Sequence, residues 1–341
     1  MRRGARIAIG IAVSAVALYI AFPPRSEWSH VREAFNRVEY LYVIPLALIT
    51  AYTIYIRCQR WRLLLRPIGQ VPMLPLFSAT CIGFFCNMVL PLRVGEVVRP
   101  ALLGRRIGKP IHSVLGSVLI ERLLDMLTIL VFLGAVIALV PISDNIRRGG
   151  LAFVAFAATA VPLVVALQRR HPLALRLVRA VFTFLPDRIR LRADVALHGF
   201  IDGLQGIEGV AALVRIGLYS LYLWVVIASV FGIGFIACGL PVPLIGGSLA
   251  LVTVVAGAVS APAAPGFMGT FQLGCVAALA LFGVAKADAI PYAIVVWATQ
   301  WLTQVVLGVV FLLHENVSFR DIQAAEDTSV REDTSVRAES S

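Results

Sequence analysis

Long apolar blocks, rather than a strand-like alternation or a one-sided helical stripe, dominate this chain. Six of them, at 7–23, 41–56, 111–140, 151–167, 216–239 and 290–313, read as membrane spans, because a spanning helix needs about 20 apolar residues at 1.5 Å rise. Two further apolar stretches do not fit a single crossing. The first, 73–91, lies between Arg57, Arg60, Arg62 and Arg66 on one side and Arg93, Arg99, Arg105, Arg106 and Lys109 on the other. Arginines collect on the cytoplasmic side, so both flanks share that side. The segment is predicted to enter, break at Pro91-Leu92-Arg93-Val94-Gly95 and return through 96–104. The second stretch, 244–284, is split by Pro262-Ala263-Ala264-Pro265-Gly266 into limbs too short to span comfortably. The expected fold is therefore all-α: a polytopic helical membrane protein with six full spans and two re-entrant hairpins.

Composition supports this and removes the alternatives. The 341 residues are 59% hydrophobic and 14% charged, with a mean hydropathy of +0.88, whereas soluble domains carry about 25% charged residues. A soluble fold is excluded. The net charge of +11 would point to nucleic acid in a soluble protein, but in a membrane protein it orients the loops, and no nucleic-acid partner is expected. With Arg2, Arg3 and Arg6 inside, the spans alternate so that inner segments hold most of the basic residues. Both termini are then predicted to be cytoplasmic, in a multi-pass inner-membrane protein. Residues 1–22 also have the charged start and apolar run of a secretory signal; no clean small-residue cleavage site precedes Pro23-Pro24, which favours an uncleaved first span. The five cysteines (58, 81, 86, 238 and 275) match no zinc or disulfide spacing and read as buried thiols.

The order of elements carries a symmetry. Residues 1–140 run span, span, hairpin from inside, span; residues 151–313 run span, span, hairpin from outside, span. This is an inverted repeat, with Pro91 and Gly95 answered by Pro262 and Gly266 in a shared P-x-x-x-G. Such repeats, broken by Gly and Pro at matching places, point to a transport site near the bilayer midplane; the same breaks also read as packing kinks. Residues 168–215 form a cytoplasmic loop in which Leu173, Leu177, Ala180, Val181 and Phe184 make one helical stripe beside Arg176 and Arg179. That stripe lies either on anionic head groups or against the bundle. The tail from 315 to 341, with its tandem Glu-Asp-Thr-Ser-Val-Arg at 326–337, is too polar to fold.

Backbone at a hairpin tip must be satisfied by protein or water, so the tips imply a polar cavity. Around the first lie Asn87, Arg93, Glu96 and Arg99; around the second lie Ser260, Thr270 and Gln272. The third span adds Glu121, Arg122 and Asp125, with the two acids one turn apart on one face. Even low estimates place one charge at a helix centre at about 2.5–3.5 kcal/mol. These three must therefore line a water-filled substrate cavity or form a structural ion pair. Arg93, Arg99 and Arg122 have the guanidinium forks that match phosphate oxygens; Arg93 and Arg99 also fit plain topology signals. Trp297, Gln300, Trp301 and Gln304 make one face of the last span, a stripe that reads first as helix packing. No H-E-x-x-H, G-x-S-x-G or P-loop occurs, and no cysteine has an evident histidine partner. No catalytic residue, metal ligand or cofactor is expected.

Four strings then become recognisable in order across 40–313: Arg60-Trp61-Arg62-Leu63-Leu64, Asn87 through Arg99, Ser117 through Asp125, and Pro265-Gly266-Phe267-Met268-Gly269-Thr270-Phe271-Gln272. They resemble the lysylphosphatidylglycerol synthase transmembrane-region family of flippase-like membrane proteins. The resemblance implies a lipid flippase; aminoacyl transfer in the fused synthases belongs to a separate cytosolic domain. The family pattern is broken at Gln272, where many relatives carry Glu, which bears on ion coupling. The expected partner is an anionic membrane lipid, either a phospholipid or a polyprenyl-phosphate-linked lipid. The alternative is an accessory protein that binds such a lipid or holds a cytosolic lipid-modifying enzyme or glycosyltransferase.

Overall fold

A computed structural model describes residues 3–109, 111–140, 144–158, 166, 172–183 and 210–315. Among these, every regular element is helical: α1 (Arg3–Ala21), α2 (Trp28–Asn36), α3 (Val43–Leu64), α4 (Met73–Val89), α5 (Gly95–Ile107), α6 (Ile111–Leu139), α7 (Asp144–Ala158), α8 (Pro172–Phe182), α9 (Val210–Ala237), α10 (Leu244–Ser260), α11 (Thr270–Ala280) and α12 (Lys286–His314). Among the described residues, four helices are long and apolar enough to cross a membrane: Tyr40–Leu64, Ser113–Leu139, Ala211–Ala237 and Lys286–His314. A fifth crossing is available to Ala8–Ala21 with Arg25–Asn36, a pair bent by 59°. The bend sits at Pro23-Pro24, where prolines cannot continue the ladder of α1. Of the span expected at 151–167, α7 covers the start, and residues 159–165 lie outside the described residues, as do 184–209 and the tail from 316.

The span expected at 41–56 continues as helix through Leu64. Arginine is a good helix former, so Arg57, Arg60 and Arg62 ride on α3 rather than in a loop. This places Arg60 at 0% exposure inside the bundle, where a positive-inside loop residue would face water.

Both broken segments fold as helix pairs. α4 and α5 turn back on each other through a short 3-10 turn at Pro91–Arg93, and α10 and α11 do so through one at Pro265–Phe267. At 1.5 Å per residue the 13 residues of α5 and the 11 of α11 cover only about 16–20 Å, well short of the roughly 30 Å hydrocarbon core. The first pair closes tightly: a Cβ on Gly95 would lie 1.8 Å from the Gly83 carbonyl oxygen, so no other residue fits there. Apolar side chains form one cluster around each pair. Trp61, Leu76, Ile82, Val98 and Leu103 fill the first; Phe231, Phe235, Leu251, Phe271 and Tyr292 fill the second. α12 spans both, with Tyr292 and Val296 in the second and Phe311 against the first.

The tips meet each other. Each has the form Pro-x-(left-handed residue)-x-Gly before its return helix: Arg93 has φ 54 and Phe267 has φ 58. The matching register is therefore Pro91–Gly95 with Pro265–Gly269, not with Pro262–Gly266. Pro265 opens the turn, whereas Pro262 belongs to the extended exit from α10. The capping repeats as well. Gly95 N–H donates to Asn87 Oδ1 at 2.9 Å, and Gly269 N–H donates to Gln272 Oε1 at 2.7 Å. α1 closes the second tip, where Ala264 N–H donates to Ser14 Oγ at 2.7 Å.

Candidate functional site

The charges foreseen on the third span belong to a buried network built by four helices. α6 supplies Glu121 and Asp125 from one face. α3 supplies Arg57 and Arg60, also one turn apart, and α5 supplies Arg99. Arg60 bridges the two acids, with Nη1 at 2.7 Å from Asp125 Oδ1 and Nη2 at 3.1 Å from Glu121 Oε1. Arg99 grips Glu121 from the other side, at 3.1 Å to Oε2, while its guanidinium lies 3.7 Å over the ring of Trp61. Trp224 of α9 donates from Nε1 to Asp125 Oδ1 at 2.9 Å, and Ser220 one turn earlier takes a further hydrogen bond from Arg60 at 3.1 Å. Trp61 Nε1 is in turn held by Ser117 at 2.8 Å.

Arg60 and Glu121 are fully buried, and Asp125 and Arg99 are nearly so. Charges this deep persist only where each has partners, and here both acids are ion-paired with arginine. Two further arginines make longer contacts at the rim. Arg57 stands 3.3 and 3.4 Å from Glu121 and Asp125, and Arg122 stands 3.8 and 3.7 Å from them, with 39% of its side chain exposed. Four arginines thus surround two carboxylates. The positive excess falls on Arg57 and Arg122.

These two open onto a cavity of about 400 Å³ between the hairpin tips. Arg93 stands across it, donating from Nη2 to Val259 O at the end of α10 and lying 5.0 Å over the ring of Phe267. Glu96 is 4.0 Å from Arg93. Asn87, Phe84 and Trp224 complete one side; Phe267, Phe271 and the Trp297–Gln304 face of α12 complete the other. Aromatic walls thus enclose three arginines together with the carboxylates of Glu96 and Asp125.

Of the residues singled out from sequence, Asn87, Arg93, Glu96, Arg122 and Asp125 line this cavity together. Glu121 and Arg99 do not reach it and form the ionic layer behind the wall. Of the charged span, Arg122 and Asp125 thus lie at the cavity and Glu121 lies in the ion-paired layer behind it. Gln272 is 3% exposed and spent on capping Gly269, off the cavity lining. Glu at that position would supply the same acceptor. Arg57, Arg60 and Trp224 were not foreseen. The signal was the i, i+3 spacing of Arg57 and Arg60, which matches the Glu121/Asp125 face.

A polytopic helical membrane protein, with two helix hairpins meeting tip to tip at an arginine-lined cavity, is the class that this fold and site define. The chain belongs to the lysylphosphatidylglycerol synthase TM region family, which matches residues 7–308. It is also similar to "Glycosyltransferase AglD" of Haloferax volcanii, with 30% identity over 334 residues, covering 87% of this chain and 53% of that protein. The chain thus spans about half the length of this relative. No solved structure matches it.

Proposed function

We propose that the protein binds the anionic head group of a membrane lipid in the cavity between the hairpins and carries it across the cytoplasmic membrane without altering it chemically. The observation that carries this reading is the placing of Arg57, Arg93 and Arg122 around one cavity whose nearest acids, Glu96, Glu121 and Asp125, are each ion-paired with arginine. A phosphate there exchanges its water for guanidinium forks. The acyl or prenyl chains stay in lipid, because taking a charged head through bare hydrocarbon is prohibitive. Movement comes from rocking one hairpin half against the other. The contacts that must part are those between the tips: Arg93 to Val259 and Phe267, and Trp301 Nε1 to Met88 O at 3.3 Å.

The test is transport in vesicles holding the purified full-length chain, using a fluorescent phosphatidylglycerol and a fluorescent phosphatidylcholine whose exposed fraction is read by dithionite quenching. The anionic lipid is expected to cross faster than in protein-free vesicles and faster than the zwitterionic one. Equal rates for both lipids, or none above the protein-free rate, contradict the proposal.

The inverted arrangement, with both termini cytoplasmic, belongs to the same proposal. After replacement of the native cysteines, Gln70→Cys beside the base of the first hairpin should react with an impermeant maleimide only from the cytoplasm. Ala285→Cys beside the base of the second should react only from outside. Reaction of both from one side removes the inversion.

The likeness to a protein named as a glycosyltransferase favours a second reading, in which the chain serves such an enzyme by holding its lipid-linked substrate. Lipid binding without transport in the vesicle assay selects that reading.

A further inference from the structure

The cavity has a second wall that phosphate binding does not use. α12 turns Trp297, Gln300, Trp301 and Gln304 into it, the spacing of one helix face. The two indoles lie together with centroids 6.1 Å apart and planes at 29°. Their N–H groups are spent on the tips, Trp297 on Gly266 O at 2.8 Å and Trp301 on Met88 O, so they offer ring surface and no donor. Gln300, which lies between them in sequence, has its Nε2 buried without a protein partner. A helix face meant only to fill space is apolar, as the outward face of this same helix is with Leu302, Val306, Val310 and Leu313. Burying an amide N–H beside indoles is costly unless something hydrogen-bonds to it.

We infer that the head group is a sugar phosphate, its phosphate on Arg57 and Arg122 and a hexose ring against the α12 wall. The inference rests on the anionic-lipid reading above and deepens it. A sugar presents hydroxyls to the amides and C–H faces to the rings, which is the mixed surface that this wall complements. A cationic aminoacyl head group fits it poorly, since the cavity's carboxylates, Glu96 and Asp125, are each paired with arginine and the guanidinium excess repels a second cation. At about 400 Å³ the space also exceeds the need of a bare phosphate.

The experiment measures Kd for matched phosphodiesters on the purified full-length chain. All probes share one short isoprenoid tail and one negative charge; one is the methyl ester and four carry glucose, mannose, galactose or N-acetylglucosamine. At least one sugar ester is expected to bind about tenfold or more tighter than the methyl ester, the factor that one or two extra hydrogen bonds supply. Gln300→Leu should erase that preference and leave the methyl ester's Kd unchanged; Trp301→Phe, which keeps a ring face, should retain most of it. Arg122→Gln should weaken all five together. If no sugar ester outbinds the methyl ester, or if the α12 variants weaken all probes alike, the sugar is overturned and the anionic-lipid reading stands. If no probe binds, both fall.

Discussion

Glu121→Gln is expected to remove most of the folded protein from the membrane, and the loss should exceed that from any single change at the cavity rim. The carboxylate is fully buried and receives Arg60 and Arg99 at once. Without it, Arg99 keeps only the face of Trp61, and Arg60 keeps Asp125 and Ser220. Stranding one side of a buried ion pair costs about 3–5 kcal/mol, which is a large part of the margin that holds most proteins folded. Arg99→Lys should fail for a related reason. A single ammonium cannot both fork onto Glu121 and lie flat on the indole, so abundance and thermal stability fall, while any protein that does fold keeps the head-group arginines Arg57 and Arg122. The measurement is detergent-extracted monodisperse protein per cell, with melting followed in parallel. Wild-type abundance and melting in Glu121→Gln would show that the network is not structural.

Arg122→Gln and Arg57→Gln are expected to do the reverse. Their contacts to the acids are 3.3 Å or longer, and the acids keep Arg60, with Arg99 also on Glu121. Folding therefore survives their loss. Each removes a charge-assisted partner from the head group, worth roughly 1.5–3 kcal/mol, so lipid affinity should fall about tenfold to a hundredfold. Arg122→Lys should recover part of the loss by restoring the charge without the fork.

The two hairpins were legible because each has a proline-glycine break between apolar limbs, the first with arginines on both flanks that fit no single crossing and the second with limbs too short to span. Their register was not. Pro262 and Pro265 are equal as letters, and only the left-handed residue two places on, Phe267 beside Arg93, shows which proline opens the turn. The charged face of α6 was visible as Glu121 and Asp125 one turn apart. Its partners were hidden because Arg57 and Arg60 lie in a run of arginines that also satisfies the positive-inside rule, and a linear string does not separate a loop from the last turns of a helix. Residues 121 and 122 are neighbours in sequence, yet one ends fully buried and the other at the rim, a consequence of the 100° step between them. The α12 stripe was seen and read as packing. Its indole N–H groups do hold the tips, and the cavity lies on the same face, which no helix pattern taken alone reveals.

Native mass spectrometry of the purified chain, released from nanodiscs that contain phosphatidylglycerol, phosphatidylcholine and the extracted lipids of its host, tests the central claim most directly. The account predicts that the wild-type protein retains a phosphate-bearing anionic lipid at one per chain, and that the folded Arg57→Gln/Arg122→Gln double variant loses it. Retention of that lipid at wild-type level by the double variant, or retention of zwitterionic lipid in equal amount by both proteins, would contradict a head-group site at this cavity.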